Sequence, residues 1–434
     1  MYRQAIETLK KWKNNPNRKP LIIRGARQVG KTWLMKEFGK SCFNHTVYIN
    51  FDGNDRMSEL FSGDMDVRRI ILGLELEAGF KINSENTLII FDEVQEVPNA
   101  LKSLKYFNEN APEYNIVAAG SLLGVALHPG TSFPVGKVEF LDLYPLNFTE
   151  FLMATGKEQF VELLQKGDFA MITSFKTKYI DALKYYYFVG GMPEVVFHFS
   201  LDNDFNKVRE IQKRILDAYE QDFSKHAPNG AVPRIRLLWN SIPVQLAKEN
   251  KKFVYGLVKE GARAREYELA MQWLLDCGLV TKVSRISKPA LPLKAYEDLK
   301  AFKLFMVDVG LLSCMSRLNP QTLLKGNALF EEFKGALTEQ YVLQQLKGLR
   351  EIDTYYWAND RGNSEIDFVI DNVNAIVPIE VKAETNLKAK SLKTYKEMFS
   401  PAVSIRASMS DYKKEDWLVN MPLYAIPVLL SQIK

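Results

Sequence analysis

The sequence predicts an α/β protein with more than one domain. Between residue 21 and about residue 151, short apolar stretches alternate with helical segments, a pattern typical of a parallel sheet flanked by helices. The pattern is helical from residue 147 to about 236, and strands and helices alternate again near the C-terminus. At 434 residues, of which 47% are hydrophobic and 25% charged, the chain is long enough for two or three domains. The regions that we expect are residues 1–155, 156–230, 231–306 and 327–434.

The first region is organised around a glycine-rich loop. Residues 25–32 have the sequence G-A-R-Q-V-G-K-T, which fits the phosphate-binding pattern G-x-x-x-x-G-K-[ST]. The loop follows an apolar run and precedes a helical segment, as this motif requires. Its N–H groups and the helix N-terminus attract phosphate, Lys31 would reach the outer phosphates, and Thr32 would bind Mg²⁺. The alternative, a chance glycine turn, is disfavoured by the flanking strand and helix.

Two carboxylates follow the apolar strand at residues 88–91. Because open α/β sheets bind ligands at the carboxyl ends of their strands, Asp92 and Glu93 belong beside the phosphate loop. Asp92 would hold Mg²⁺, directly or through water, and Glu93 would polarise the attacking water. The next strand leads to Ser121, which could contact the γ-phosphate or be an ordinary turn residue. The alternative for the carboxylate pair is a polar strand end without a function. The expected nucleotide-binding residues are Gly25, Ala26, Arg27, Gln28, Val29, Gly30, Lys31, Thr32, Trp33, Asp92 and Ser121.

A second set of charged residues lies near the C-terminus. Glu339 belongs to a predicted helix, and Asp367, Glu380 and Lys382 belong to two predicted strands. Residues i and i+2 of a strand face the same side, so Glu380 and Lys382 project together, and a hairpin would bring Asp367 beside them. Asp367 and Glu380 would repel unless they share a cation such as Mg²⁺, which could activate water against a phosphodiester. Lys382 would position or deprotonate that water, and Glu339 would complete the metal site. This layout is typical of a metal-dependent nuclease; the alternative is a surface hairpin with alternating charges.

Positive charge is concentrated in residues 231–303. This segment contains 14 Lys and Arg against 7 Asp and Glu, whereas the whole chain has a net charge of only +5. Its order of helix, basic turn with a short helix, a further helix and a strand predicts a winged helix. Arg263 and Arg265 open the further helix, where basic side chains would contact DNA. The alternative is a protein-docking winged helix with a solvated basic face.

Other classes of protein are disfavoured by composition. Cys42, Cys277 and Cys314 are far apart and form neither a disulfide framework nor a C-x-x-C pattern. The four histidines show no metal-ligand spacing. The N-terminus lacks an apolar signal core, and the longest apolar stretch is too short to span a bilayer. We therefore expect a cytoplasmic protein without a membrane partner.

Together these motifs resemble a bacterial and archaeal family whose members pair an AAA+ ATPase domain with a C-terminal domain of unknown function. The resemblance extends nearly end to end, and its most specific parts are the turn Gly190-Gly191-Met192-Pro193-Glu194 and the order of the modules. It implies a P-loop NTPase fold that binds ATP with Mg²⁺. The C-terminal module of such proteins is similar to the PD-(D/E)XK nuclease fold. Asp367, Glu380 and Lys382 fall on its motif, and Glu339 falls on its first helix.

Two functions of different class follow. The first is a DNA-associated ATPase in which hydrolysis moves the winged helix and the nuclease-like module. The second is an ATP-gated protein-interaction switch in which the nuclease-like module is inactive. A phosphotransferase is disfavoured, because two adjacent carboxylates suit water activation and the sequence indicates no acceptor pocket. AAA+ rings usually share sites between subunits, so a homo-oligomer is compatible with either function.

Overall fold

The computed structural model describes residues 1–120, 133–228, 230–248, 251–325, 331–349, 352–359, 364–372, 375–384 and 390–429. The chain forms two compact units. The N-terminal unit contains residues 2–144 with 276–278, and the C-terminal unit contains residue 1, residues 145–275 and residues 279–434. Within the described ranges, no helix has both the length and the apolar character needed to cross a membrane.

Helices and strands alternate in the N-terminal unit. Its helices are α1 (Ala5–Lys13), α2 (Lys31–Cys42), α3 (Asp55–Ser62), α4 (Val67–Ala78) and α5 (Pro98–Asn110). Its strands are β1 (Leu21–Arg24), β2 (His45–Asn50), β3 (Thr87–Asp92), β4 (Asn115–Ala119) and β5 (Glu139–Asp142). The strands pair in parallel in the order β2-β3-β4-β1-β5. The prediction of an α/β unit with a parallel sheet is therefore confirmed.

The core of this unit surrounds the central strands. Every residue of β3 and β4 is buried, as expected for strands covered by helices on both faces. The rings of Phe51, Phe61 and Phe91 pack edge to face with centroids 5.4 to 5.6 Å apart, a favourable aromatic arrangement. Because Phe91 immediately precedes Asp92, this packing holds the end of β3 in place.

The C-terminal unit combines many helices with one mixed sheet. Its helices are α6 (Phe148–Ala154), α7 (Glu158–Lys166), α8 (Phe169–Ser174), α9 (Lys176–Val189), α10 (Pro193–Asp202), α11 (Phe205–His226), α12 (Val232–Ala247), α13 (Ala264–Asp276), α14 (Val309–Met315), α15 (Pro320–Lys325), α16 (Glu331–Leu349) and α17 (Lys390–Phe399). Its strands are β6 (Val280–Ile286), β7 (Glu297–Met306), β8 (Thr354–Ala358), β9 (Glu365–Asn372), β10 (Ala375–Val381), β11 (Ser404–Ser408), β12 (Lys413–Lys414) and β13 (Leu418–Pro422). They form the order β12-β13-β11-β10-β9-β8-β6-β7.

This sheet joins two regions that the sequence separates. The antiparallel hairpin β6–β7 lies in the predicted winged-helix region, whereas β8 to β13 lie in the predicted nuclease-like region. Strand β6 pairs in parallel with β8, so the two regions share one continuous sheet. The elements α12, α13 and the hairpin follow the order that the winged-helix prediction requires. The winged-helix assignment, the PD-(D/E)XK assignment and the four region boundaries stay predictions.

The Gly190-Gly191 pair forms a tight, buried turn between α9 and α10. Gly190 has a φ of +75°, a conformation that favours glycine. The Gly191 N–H donates to Asp308 Oδ2 at 2.6 Å, and the Leu146 N–H donates to the Gly191 carbonyl at 2.7 Å. A Cβ on Gly191 would lie 2.8 Å from Leu146 N and 2.9 Å from Leu146 C, and closer still to the Leu146 carbonyl oxygen. The turn therefore requires glycine for close backbone packing.

Candidate functional site

The backbone between β1 and α2 has the conformation that a phosphate loop needs. Gly25, Gln28 and Gly30 have φ values of +141°, +65° and +93°. These left-handed residues turn successive N–H groups toward one point, which makes an anion-binding concavity at the start of α2. A Cβ on Gly25 would lie 3.2 Å from Leu143 C and closer still to its oxygen, so the first glycine is also needed for space.

Lys31 folds back over this loop. Its Nζ donates to the carbonyl oxygens of Gly25 and Ala26, both at 2.9 Å, and the residue is only 7% exposed. Burial lowers the pKa of Lys31 to about 8, while the charges of Glu93 and Asp92 act in the opposite direction. A buried ammonium held by two carbonyl groups attracts an anion strongly, and phosphate oxygens are the anions that such a loop accepts.

A hydrogen bond joins the loop to the carboxylate at the end of β3. The Thr32 hydroxyl donates to Asp92 Oδ2 at 2.7 Å. The hydroxyl of Tyr48 on β2 donates to the same oxygen at 2.9 Å. In the parallel register of β2 and β3, Asn50 lies opposite Asp92, which brings the end of β2 beside the carboxylate. The structure thus brings together Thr32 and Asp92, as predicted, and adds Tyr48, which the sequence analysis missed.

Glu93 begins the turn after β3. It has a φ of +51°, and its Oε2 accepts a hydrogen bond from Gln95 Nε2 at 2.7 Å. Burial and the Asp92 charge raise the pKa of the neighbouring Tyr48, so this hydroxyl stays protonated and remains a donor.

Trp33, the first residue after Thr32, is 39% exposed. Ser121, the predicted γ-phosphate contact, lies outside the described residues.

The residues of this site fit Mg²⁺. Thr32 Oγ1 and Asp92 Oδ2 are hard oxygen donors that already lie within hydrogen-bond distance of each other, and Mg²⁺ prefers such oxygens. In the part of the chain that the structure describes, no group of three or more His, Cys, Asp or Glu side chains could hold a metal ion by itself. At a nucleotide site this is expected, because phosphates and water supply most of the Mg²⁺ ligands.

A parallel sheet with a phosphate loop after its first strand, and a carboxylate hydrogen-bonded to that loop, defines a P-loop nucleotide-binding domain. Comparisons agree with this class. Residues 17–152 match the model of an AAA domain, so the N-terminal unit carries an AAA-type P-loop ATPase domain. Residues 180–322 match the Domain of unknown function (DUF8612), and residues 334–426 match the Domain of unknown function (DUF4143).

Solved structures show only distant likeness. A Walker-type ATPase of Pyrococcus abyssi is 14% identical over 72% of this chain and 95% of that chain, with a TM-score of 0.45. The ORC1 protein of Aeropyrum pernix, solved in complex with DNA, is 13% identical over 73% and 91%, with a TM-score of 0.26. Cdc6p from Pyrobaculum aerophilum is 12% identical over 74% and 93%, with a TM-score of 0.24. Scores this low carry no argument about function. No curated protein sequence matches the chain.

The predicted C-terminal residues also lie together. Strands β9 and β10 form the predicted antiparallel hairpin. The Val381 N–H donates to Asp367 Oδ2 at 2.7 Å, and Lys382 Nζ lies 2.9 Å from Glu380 Oε1. Glu339, on α16, lies close enough to Asp367 for its charge to raise the pKa of that carboxyl group. We call Glu339, Asp367, Glu380 and their neighbour Glu365 the carboxylate cluster.

Two lysines from outside the predicted nuclease-like region enter this cluster. Lys303 Nζ, from β7, lies 2.5 Å from Glu365 Oε1, 3.5 Å from Glu339 Oε2 and 3.8 Å from Asp367 Oδ1. Lys251 Nζ donates to Glu339 Oε1 at 2.5 Å. The side chain of Lys303 is fully buried, and that of Lys251 is 13% exposed. The sequence analysis missed Lys251, Lys303 and Glu365 as members of this site.

These charges set the pKa values of the cluster. Burial and the neighbouring Glu339 raise the pKa of Asp367 to about 7, although Lys303 and Lys251 act against them. Burial opposes ionisation of Glu339, but Lys303 and Lys251 outweigh it and hold its pKa at about 2. Burial works against the charge of Lys303, yet the surrounding carboxylates raise its pKa. The ammonium of Lys303 therefore stays charged among these carboxylates.

This arrangement does not fit the predicted divalent ion. A metal bound between Asp367 and Glu339 would lie next to the fully buried Lys303 ammonium, where repulsion between like charges is strong. Among the described residues, no group of three or more His, Cys, Asp or Glu side chains is arranged to hold a metal ion here either. The metal-binding role of Asp367 and Glu380 stays a prediction, and the Lys303 ammonium, 3.8 Å from Asp367 Oδ1, opposes it.

The lysines of the cluster also change the interpretation of the basic segment at residues 231–303. Part of its charge is neutralised by carboxylates from outside the segment, because Lys251 and Lys303 pair with the cluster. By contrast, Arg263 and Arg265, at the start of α13, are exposed. The net charge of the segment therefore overstates the charge that it can present to a partner, whereas these two arginines remain accessible.

Proposed function

We propose that the N-terminal unit binds ATP and hydrolyses it with Mg²⁺. The observation that carries this proposal is the 2.7 Å hydrogen bond from Thr32 Oγ1 to Asp92 Oδ2. It joins the phosphate loop to the strand-end carboxylate, although the two residues are 60 positions apart in sequence. The phosphate loop alone indicates nucleotide binding, and the strand-end carboxylate alone indicates little. Side by side, they have the arrangement of a nucleotide hydrolase.

Each side chain has a separate role in this proposal. The loop N–H groups and Lys31 bind the phosphates, and Thr32 and Asp92 hold Mg²⁺, which supplies charge stabilisation at the phosphate that is transferred. Glu93 orients the attacking water and accepts its proton. The hydrogen bond from Gln95 holds the Glu93 carboxylate at the strand end. Trp33, exposed beside Thr32, lies near enough in sequence to contact the nucleotide.

A matched pair of variants tests this assignment. Glu93→Gln removes the proton acceptor but keeps the size of the side chain, so we expect ATP affinity within about twofold of wild type and turnover lowered by about 10²–10⁴-fold. Glu96→Gln makes the same chemical change at an exposed position three residues away and should leave both quantities unchanged. Wild-type turnover in Glu93→Gln would remove Glu93 as the water-positioning residue.

We also propose that the ATPase associates with DNA through α13. The support is the pair of exposed arginines, Arg263 and Arg265, at the beginning of this helix. Basic side chains at a helix start can contact phosphates or base edges in the major groove. On this view, ATP hydrolysis in the N-terminal unit changes how residues 231–306 and 327–434 bind DNA. The protein acts in the cytoplasm, as a monomer or as a homo-oligomer.

A second candidate is an ATP-gated protein-interaction switch with an inactive nuclease-like region. The observation that favours it is the buried Lys303 ammonium within 4 Å of three carboxylates of the cluster. The two candidates differ in their response to DNA. ATP turnover stimulated by DNA, with a steep dependence on salt, would support the first. Turnover indifferent to DNA would support the switch.

A further inference from the structure

We infer that the ammonium of Lys303 takes the place of a divalent cation in the carboxylate cluster, so that the C-terminal unit works without a bound metal. This inference concerns the C-terminal unit alone, and it stands whether or not the N-terminal unit hydrolyses ATP.

The geometry around Lys303 Nζ is that of a small cation site. Carboxylate oxygens from three residues surround it: Glu365 Oε1 at 2.5 Å, Glu339 Oε2 at 3.5 Å and Asp367 Oδ1 at 3.8 Å. They come from strand β9 and helix α16, whereas the lysine comes from β7. One ammonium thus joins carboxylates from two elements, as a metal ion would.

Lys251 completes the neutralisation. It donates to Oε1 of Glu339 at 2.5 Å, while Lys303 lies beside the other oxygen, Oε2, at 3.5 Å. Lys382 is 2.9 Å from Glu380 Oε1. Each carboxylate of the cluster therefore already has a lysine within 4 Å, and the three lysines offset most of its negative charge, which weakens the attraction for a divalent ion.

Burial keeps the Lys303 ammonium in the position of the metal ion. The Lys303 side chain is fully buried, and its strand, β7, pairs with β6. An exposed lysine could swing into water and admit a metal, but a lysine enclosed on all sides cannot leave without the surrounding structure opening. A metal would have to enter against a fixed positive charge at low dielectric, where repulsion between like charges is strong.

The network also explains why Lys251 and Lys303, from the basic segment, are buried against the region at residues 327–434. They use their charge to join α16 and β9 to β7 and the stretch after α12, and not to contact a nucleic acid. The carboxylate cluster is then an internal ion network that joins these elements of the C-terminal unit.

Binding of Mn²⁺ to the 434-residue chain without nucleotide tests the inference. Free Mn²⁺ gives a six-line paramagnetic resonance signal that weakens when the ion is bound, so the number and affinity of sites can be counted. We compare wild type with Asp367→Asn, which removes one cluster carboxylate, and with Lys303→Met, which removes the ammonium but keeps a long apolar stem. A Mn²⁺ site elsewhere in the chain is present in all three proteins and therefore does not affect the comparison between them.

We expect wild type and Asp367→Asn to bind Mn²⁺ equally. Lys303→Met should gain one site, at least tenfold tighter than any wild-type site, and the double variant Lys303→Met with Asp367→Asn should lose it. A wild-type site that Asp367→Asn abolishes would overturn the inference, as would a folded Lys303→Met that gains no site. If Lys303→Met does not fold, the comparison of wild type with Asp367→Asn decides the question.

Discussion

Gly191→Ala should destabilise the C-terminal unit strongly, because the structure leaves no room for a methyl group. The added Cβ would lie 2.8 Å from Leu146 N and 2.9 Å from Leu146 C, and closer still to the Leu146 oxygen. All three are backbone atoms, so rotation of a side chain cannot relieve the collision. The same backbone segment also makes the 2.7 Å hydrogen bond from the Leu146 N–H to the Gly191 carbonyl.

The expected cost follows from these contacts. Overpacking a buried site costs about 1–3 kcal/mol. Separation of the two segments would also break the hydrogen bond from Leu146 and weaken the one that Gly191 donates to the buried Asp308, at about 0.5–1.5 kcal/mol each. We therefore expect a loss of roughly 3 kcal/mol, against a total free energy of unfolding of about 5–15 kcal/mol for a typical domain.

The control makes the same chemical change in open space. Gly335 lies inside α16, and a Cβ there would meet no atom within 4 Å. Gly335→Ala should therefore stabilise the unit by about 0.5–1 kcal/mol, because alanine loses less backbone freedom than glycine in a helix.

Differential scanning calorimetry measures the unfolding of wild type and of both variants. We expect Gly191→Ala to lower the midpoint of one transition by about 6–12 °C, and Gly335→Ala to raise the same midpoint slightly. A midpoint for Gly191→Ala within about 2 °C of wild type would refute the argument, since it would mean that the turn can open without cost.

Three further predictions concern ligand binding. Lys31→Ala should abolish tight ATP binding in a titration, because the phosphate charge loses its main side-chain partner; unchanged affinity would refute the phosphate-loop assignment. Tyr48→Phe removes one donor to Asp92, so the Mg²⁺ concentration needed for half-maximal ATP turnover should rise by about three- to tenfold, with no change in turnover at saturating Mg²⁺. An equal Mg²⁺ requirement in both proteins would show that Tyr48 does not position Asp92. Reversal of Arg263 and Arg265 to Glu should weaken DNA binding at least about tenfold and lower the slope of log affinity against log salt by about 1–2. If fluorescence anisotropy shows no change, the DNA site lies elsewhere.

The nucleotide site was largely predictable because its chemistry is local. The loop at residues 25–32 places its glycines and Lys31 within eight consecutive residues, and their spacing determines the backbone turn. Asp92 follows an apolar strand, and parallel sheets collect the carboxyl ends of strands at one edge. Tyr48 could not be predicted, because its contact with Asp92 depends on the pairing of β2 with β3. The order of strands in a sheet depends on several distant segments and cannot be deduced from one of them.

The C-terminal region shows the opposite case. Its hairpin and the positions of Glu339, Asp367, Glu380 and Lys382 follow from strand alternation, which the sequence contains. The lysines beside these carboxylates could not be predicted, because Lys303 lies 36 residues before Glu339 in the chain and Lys251 lies 88 residues before it. Only folding brings these ammonium groups to the carboxylates.

By itself, then, the sequence determined the elements, the phosphate loop and the carboxylate positions, since each depends on residues close together in the chain. The tertiary structure decided what neutralises each charge. The positive segment at residues 231–303 is a potential DNA surface in the sequence, yet in the folded chain Lys251 and Lys303 are buried against carboxylates from α16 and β9. Whether a charge faces solvent, a partner or another buried charge depends on packing between distant segments, and that packing is a property of the fold.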